Sequence, residues 1–151
     1  MQIQVDSREK ARAIKKILSE FEKQNINYFV SKLYVGDYMS YKNPMLIVDR
    51  KQNLNEVYSN VCHDHDRFVR ELLKAKDAGI HIVLLVEHSP KVKKLEDVTN
   101  WKNPRLKVTP YAWDGQRLYN VLKTMMVKYG FEIFFCDKTH TGQKIIEILG
   151  C

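Results

Sequence analysis

The sequence has little cysteine, no long apolar run and no glycine-rich loop, and each shortage removes a class of function. Its three cysteines, Cys62, Cys136 and Cys151, are an odd count with no close pairing spacing. They make no disulfide framework, and reduced thiols imply an intracellular protein. No apolar stretch is long enough to span a bilayer, and none near the N-terminus resembles a secretory signal. No segment joins a strong apolar face to a uniformly basic one, which weighs against a membrane surface as partner. Neither common glycine-rich phosphate loop is present, so an unrelated nucleotide-binding protein ranks low. No repeat, low-complexity tract or linker divides the chain. It ends with its last expected helix, so a single domain over residues 1–151 is expected, with no appended module.

What is present suits a folded α/β protein. Hydrophobic residues make up 44% and aromatic residues 11%, enough for an ordered core and too much for a disordered chain. Lysines and arginines number 25 against 18 acids, a formal charge of +7. That excess in one domain points to a polyanion, and nucleic acid is the partner it favours.

The hydrophobic periodicity alternates between strand and helix. Ile3 to Val5 reads as a short strand. From Arg8 the pattern turns helical, with Ile14, Ile17, Leu18 and Phe21 on one face and Ser7 as the expected N-cap. Short strands are predicted over 28–32, 37–41 and 45–50, separated by Gly36 and by Asn43-Pro44. Residues 54–61 read as a helix. A second helix, capped by Asp66, carries Phe68, Leu72, Leu73 and Ala75 and ends at Gly79. The nearly continuous apolar run 80–86 fits a strand buried on both faces. Residues 89–110, rich in lysine and punctuated by Pro90, Pro104 and Pro110, read as a loop with about one helical turn. A long helix over 112–129, a strand over 131–136 and a helix over 141–149 stopped by Gly150 complete a layered α/β domain. The expected core is a mixed sheet flanked by helices.

The chemistry concentrates at Asp37 and at Asp49-Arg50-Lys51. Side chains alternate along a strand, so Asp49 and Lys51 share one face. A hairpin between the two strands would bring Asp37 to the same end. Two carboxylates and an ammonium in one pocket match metal-assisted phosphodiester cleavage. Oxygen ligands suit Mg²⁺ or Mn²⁺, and a lysine can orient water or stabilise developing charge. As a bare pattern, Gly-Asp is also a common turn, and Asp-Arg-Lys a common solvated strand end.

An ordered series of motifs adds to this reading. Val5-Asp6-Ser7-Arg8-Glu9 is followed by Gly36-Asp37-Tyr38, Val48-Asp49-Arg50-Lys51, Arg67-Phe68 and Val86-Glu87. The series resembles the nuclease domain of the XPF family of structure-selective endonucleases, whose signature is Gly-Asp, a gap, Glu-Arg-Lys, three residues and Asp. The resemblance is clearest over residues 3–87 and continues loosely to about 137. It implies a restriction-endonuclease-like fold, dependence on Mg²⁺ or Mn²⁺, and cleavage of branched or flap DNA in replication, recombination or repair. It implies Asp37 and Asp49 as metal ligands and Lys51 as the catalytic lysine. Arg50, Asp6 and Arg8 join them as site residues, and Arg67, which the resemblance puts near the site, is a candidate DNA contact, with a plain surface residue as the other reading. Two positions depart from the signature. The family's Glu is Asp49, one methylene shorter, and its final Asp is the neutral Asn55, for which Glu56 could partly compensate. Helix-hairpin-helix repeats, common in the family, are missing from this sequence. DNA would be held by this domain alone, as a homodimer, or with a partner subunit. A nuclease fold that binds branched DNA without cutting is the alternative, motivated by Asn55.

Other residues are read more plainly. Cys62-His63-Asp64-His65-Asp66 is too crowded for a tetrahedral zinc site and reads as a polar loop. Glu87 reads as a strand-end acid. Lys102, Arg105 and Lys107 are candidate phosphate contacts, with Trp101 free to stack on a base, and a solvated basic loop is the other reading of that segment.

Overall fold

The computed structural model describes residues 1–150. Six strands form one mixed sheet in the order β2-β1-β3-β4-β5-β6. They are β1 (Gln2–Val5), β2 (Asn27–Val30), β3 (Tyr38–Ser40), β4 (Asn43–Lys51), β5 (His81–Ser89) and β6 (Glu132–Asp137). The β1–β2, β4–β5 and β5–β6 pairs are parallel, whereas β3 is antiparallel to both β1 and β4. The α/β fold with a central mixed sheet is therefore as expected.

Alternation along the strands divides the core in two. Ile47, Leu84 and Phe135 face one layer, built by α2 (Leu54–Cys62), α3 (His65–Asp77), α4 (Gly115–Tyr129) and the 3₁₀ turn Leu95–Asn100. Val48, Leu85 and Cys136 face the other, where α1 (Lys15–Lys23) and α5 (Thr141–Leu149) pack. β5 is buried on both sides, as its apolar run requires. No helix of the described residues is long and apolar enough to cross a membrane.

Three local expectations need correction. Helix α1 begins at Lys15, not near Arg8, and Ser7 does not cap it. Residues 6–13 turn instead through bonds from Glu9 N to Asp6 O and from Ala13 N to Lys10 O. Asp66 lies inside the first turn of α3. Asp64 holds the N-cap position, and its side chain makes no capping bond. The segment before α4 contains two 3₁₀ turns, Leu95–Asn100 and Pro104–Lys107, so the long helix starts three residues later than predicted, at Gly115. Asp114 caps it by accepting from Arg117 N at 2.8 Å. Gly115 has no room for a side chain, since a Cβ there would lie 2.3 Å from Val98 O.

Candidate active site

The β3–β4 hairpin builds the site. Gly36 turns into β3 at φ +70°, and a Cβ on it would lie 2.3 Å from Ile47 Cγ2, so only glycine lets the chain press this closely against β4. Asp37 N then donates to Val48 O at 2.9 Å, and one carboxylate oxygen of Asp37 accepts from Arg50 N at 2.8 Å. The Asp37 carboxylate is thereby held beside the end of β4. Asp49 and Lys51 share the Ile47 face of that strand and are both buried. Lys51 Nζ stands 3.3 Å from Asp49 Oδ2 and 5.5 Å from the centre of the Phe68 ring on α3.

Electrostatics makes this an acidic pocket with one fixed cation. Burial pushes the Asp37 carboxyl well above the ordinary carboxylate range, and Asp49 and Glu9 push it further, against the pull of the Arg50 amide. Burial draws the Lys51 ammonium down, but Asp49, Glu56, Asp37 and Glu71 outweigh it and keep it charged. Glu71, on the inward side of α3, is the acid that sequence reading missed. Burial first, then Asp49, raises its pKa, while Lys51 and Arg8 lower it. Its helical spacing after Phe68 was the only signal available.

A hard divalent cation fits this donor set. Two adjacent carboxylates in a partly desolvated pocket repel each other, and a bound cation would offset that repulsion. Among the described residues, no three Asp, Glu, His or Cys side chains converge to hold a metal by themselves. Mg²⁺ does not need three, since it keeps waters and takes substrate phosphate oxygens.

The remaining expected residues occupy supporting positions. Asp6 is fully buried, accepting from Leu33 N at 2.8 Å and from Arg8 Nε at 2.7 Å, while its own amide donates to Asp37 O at 2.8 Å. Arg8 lies on the rim, and its guanidinium pKa is raised mainly by Asp6, with Glu71 and Asp37 adding to it. Arg50 points to the opposite face from Asp49 and Lys51. It grips Glu9 through two bonds of 3.0 and 2.9 Å and meets Glu87 at 2.6 Å. Glu87 also accepts from Thr141 Oγ1 of α5 at 2.5 Å. Glu87 is thus a buried ion-pair partner, which corrects its reading as a strand-end acid. Asn55 is exposed and lines a cavity of about 390 Å³ with His88 and Trp101. Glu56 accepts from Gln52 N at 2.8 Å and so ties the turn between β4 and α2. Asn53 and His88 fix the start of that helix by accepting from Glu56 N and Leu54 N, both at 3.0 Å. Burial, and then Lys91, lowers the His88 pKa, consistent with a neutral ring that can accept.

A family model for the ERCC4 domain matches residues 5–149. The chain belongs to the ERCC4 domain family. Among solved structures, XPF from Aeropyrum pernix resembles this ERCC4 domain with a TM-score of 0.69 at 18% identity, covering 99% of this chain and 63% of that one. XPF from the same organism in complex with DNA gives a TM-score of 0.68 at 18% identity with the same coverage. The chain thus spans less than two thirds of the XPF chain it matches. The fold is that of the XPF nuclease domain, which is restriction-endonuclease-like. No curated protein matches the sequence.

Within this ERCC4 domain, the expected DNA contacts are exposed side chains on two separate segments. Lys102, Arg105 and Lys107 are exposed in and beside the second 3₁₀ turn, and none is in an ion pair among the described residues. Arg67 is exposed in the first turn of α3, four residues before Glu71, with Asp64 at 3.6 Å. Trp101 is half-buried and packs on Tyr58, so its ring is not wholly free to stack.

Proposed function

We propose that this ERCC4 domain is a Mg²⁺- or Mn²⁺-dependent endonuclease that hydrolyses phosphodiester bonds in branched or flap DNA, in replication, recombination or repair. The observation that carries the reading is the convergence of Asp37, Asp49 and a charged, buried Lys51 on one hairpin. Asp37 and Asp49 would hold the cation. When bound, it would neutralise charge on the phosphate and acidify the attacking water. Lys51, anchored between Asp49 and the Phe68 ring, orients that water or stabilises the charge that builds on phosphorus oxygens. Water adds to phosphorus, the bond to the leaving oxygen breaks, and that oxygen takes up a proton. Asp6 and Arg50 act behind this chemistry. Asp6 holds the Asp37 backbone, and Arg50 offers Asp37 its amide while its side chain braces β4 against Glu9 and Glu87.

The XPF structure in complex with DNA and the charge of +7 support DNA as the substrate. The test is cleavage of labelled splayed-arm, flap and four-way-junction DNA in Mg²⁺ or Mn²⁺. Asp49→Ala should abolish cutting, and Lys51→Ala should bind DNA but lose cutting by about a hundredfold or more. Equal cutting by either variant would sink the assigned role. Asn55 favours a second reading, a DNA-binding module that does not cut. Calorimetry that detects no Mg²⁺ or Mn²⁺ binding, with or without DNA, would select it.

A further inference from the structure

The cations expected to grip DNA lie on one side of the sheet. Arg105 borders a hollow with Tyr58 and Ser59 of α2, on the layer that contains α2 to α4. The opposite layer carries a second positive surface, whose unpaired cations lie outside the motif series. A groove of about 450 Å³ opens there beside the C-terminal ends of β4 and β5. Arg12, Lys15 and Lys16 form one wall, at the entry to α1, and Lys138 stands after β6. The Gln52-Asn53 turn also borders the groove, beside Arg50 and Glu87. That ion pair cancels within the lining, which leaves four cations in excess.

Nothing in the fold spends those four charges. All are exposed, and none is in an ion pair among the described residues. Lys15 and Lys16 occupy the first turn of α1, where the helix dipole disfavours cations. No acid in that turn compensates them. The arrangement is locally unfavourable until a polyanion lies across it. Charges drawn from two separate chain segments suit a run of phosphates better than a single one.

The two positive surfaces border the same end of the sheet from opposite layers, and Asp49 and Lys51 face the layer of Lys102 and Arg105 while Arg50 faces the other. A straight duplex resting on one layer cannot engage both. DNA whose arms diverge around the strand ends can engage both.

We propose that the Arg12-Lys15-Lys16-Lys138 groove binds the sugar-phosphate backbone of a second DNA arm, so that simultaneous grip on both layers selects branched over linear DNA. The proposal rests on the reading of this domain as a DNA-acting protein, but not on its cutting. Fluorescence anisotropy without divalent cations separates the two. The probes are a splayed-arm DNA and a linear duplex of equal length, titrated between about 50 and 200 mM salt. The triple variant R12A/K16A/K138A is compared with the wild type and with K23A/K42A/K128A, which removes the same charge elsewhere.

The groove variant should lose about tenfold or more in affinity for splayed-arm DNA, and its salt slope should fall by about two to three. Its affinity for linear duplex, and both affinities of the control variant, should stay within about twofold. Equal losses on both DNAs, equal losses in the two variants, or no loss would each overturn the proposal, as would a wild type that binds neither probe. All substituted side chains are exposed, and thermal melts should show both variants folded. Parallel cleavage assays in Mg²⁺ or Mn²⁺ distinguish the two failures. A wild type that binds with the predicted preference but never cuts sinks the nuclease reading and leaves the groove in place. A groove variant that binds and cuts splayed-arm DNA like the wild type sinks the groove alone.

Discussion

Asp37 carries the electrostatic cost of the site. Its carboxyl is held above the ordinary range by burial and by Asp49, so the native protein retains a proton that the unfolded chain gives up. The resulting penalty is absent below the ordinary carboxylate pKa, grows as pH rises through the raised value, and is complete above it. Asp37→Asn removes that penalty while keeping an oxygen to accept from the Arg50 amide. The variant should melt at a higher temperature than the metal-free wild type at neutral pH, show a flatter pH dependence, and no longer cut DNA. Thermal melts across pH, paired with cleavage assays, check this. A lower melting temperature would mean that the hydrogen bond outweighs the repulsion. The Asp49–Lys51 pair was legible in the sequence because strand alternation acts over two residues. The role of Glu9 was not, since its partner Arg50 lies 41 residues away. No local pattern reports a contact of that separation.

The β3–β4 hairpin was legible for similar reasons. Gly36 marks its entry, whereas Asn43-Pro44, read as the turn, open β4 and the chain reverses at Tyr41-Lys42; two residues of the hairpin supply the carboxylates. Gly36→Ala should be among the most damaging small substitutions, since it meets an unfavourable φ and the Ile47 side chain together. A loss of about 2 kcal/mol or more is expected in urea unfolding, with cutting lost as Asp37 shifts. An unchanged midpoint would show that Ile47 yields freely. The start of α1 was misplaced because the periodicity of Ile14, Ile17 and Phe21 cannot show where a helix must begin. Residues 6–13 are turned instead so that Asp6 can hold Leu33 and Glu9 can reach Arg50. Those are tertiary demands, and they override local propensity. The basic stretch before α4 was illegible for another reason: its 3₁₀ turns are too short to produce a period.

For the whole molecule, alternating strands and helices announced an α/β sheet, but not the order β2-β1-β3-β4-β5-β6. Strand order depends on which layers cover which faces, and that is settled only when distant apolar stripes meet. Cation binding should be visible at this scale. Any ion that binds the native state alone stabilises it, by about 2.7 kcal/mol at a hundred times its dissociation constant. Mn²⁺ or Mg²⁺ should therefore raise the melting temperature of the wild type but not of Asp49→Ala, and an equal rise in both would place the ion elsewhere. The brace behind the site has a consequence for biosynthesis. Chains emerge N-terminus first. Asp37, Asp49 and Lys51 leave the ribosome long before Thr141, whose hydroxyl completes the Glu87–Arg50–Glu9 chain. A nascent domain therefore has the carboxylates proposed to hold a cation well before α5 completes the brace behind them. The brace therefore closes only when α5 docks, so the order of synthesis leaves the β4 end without its last support until the C-terminal helix is made.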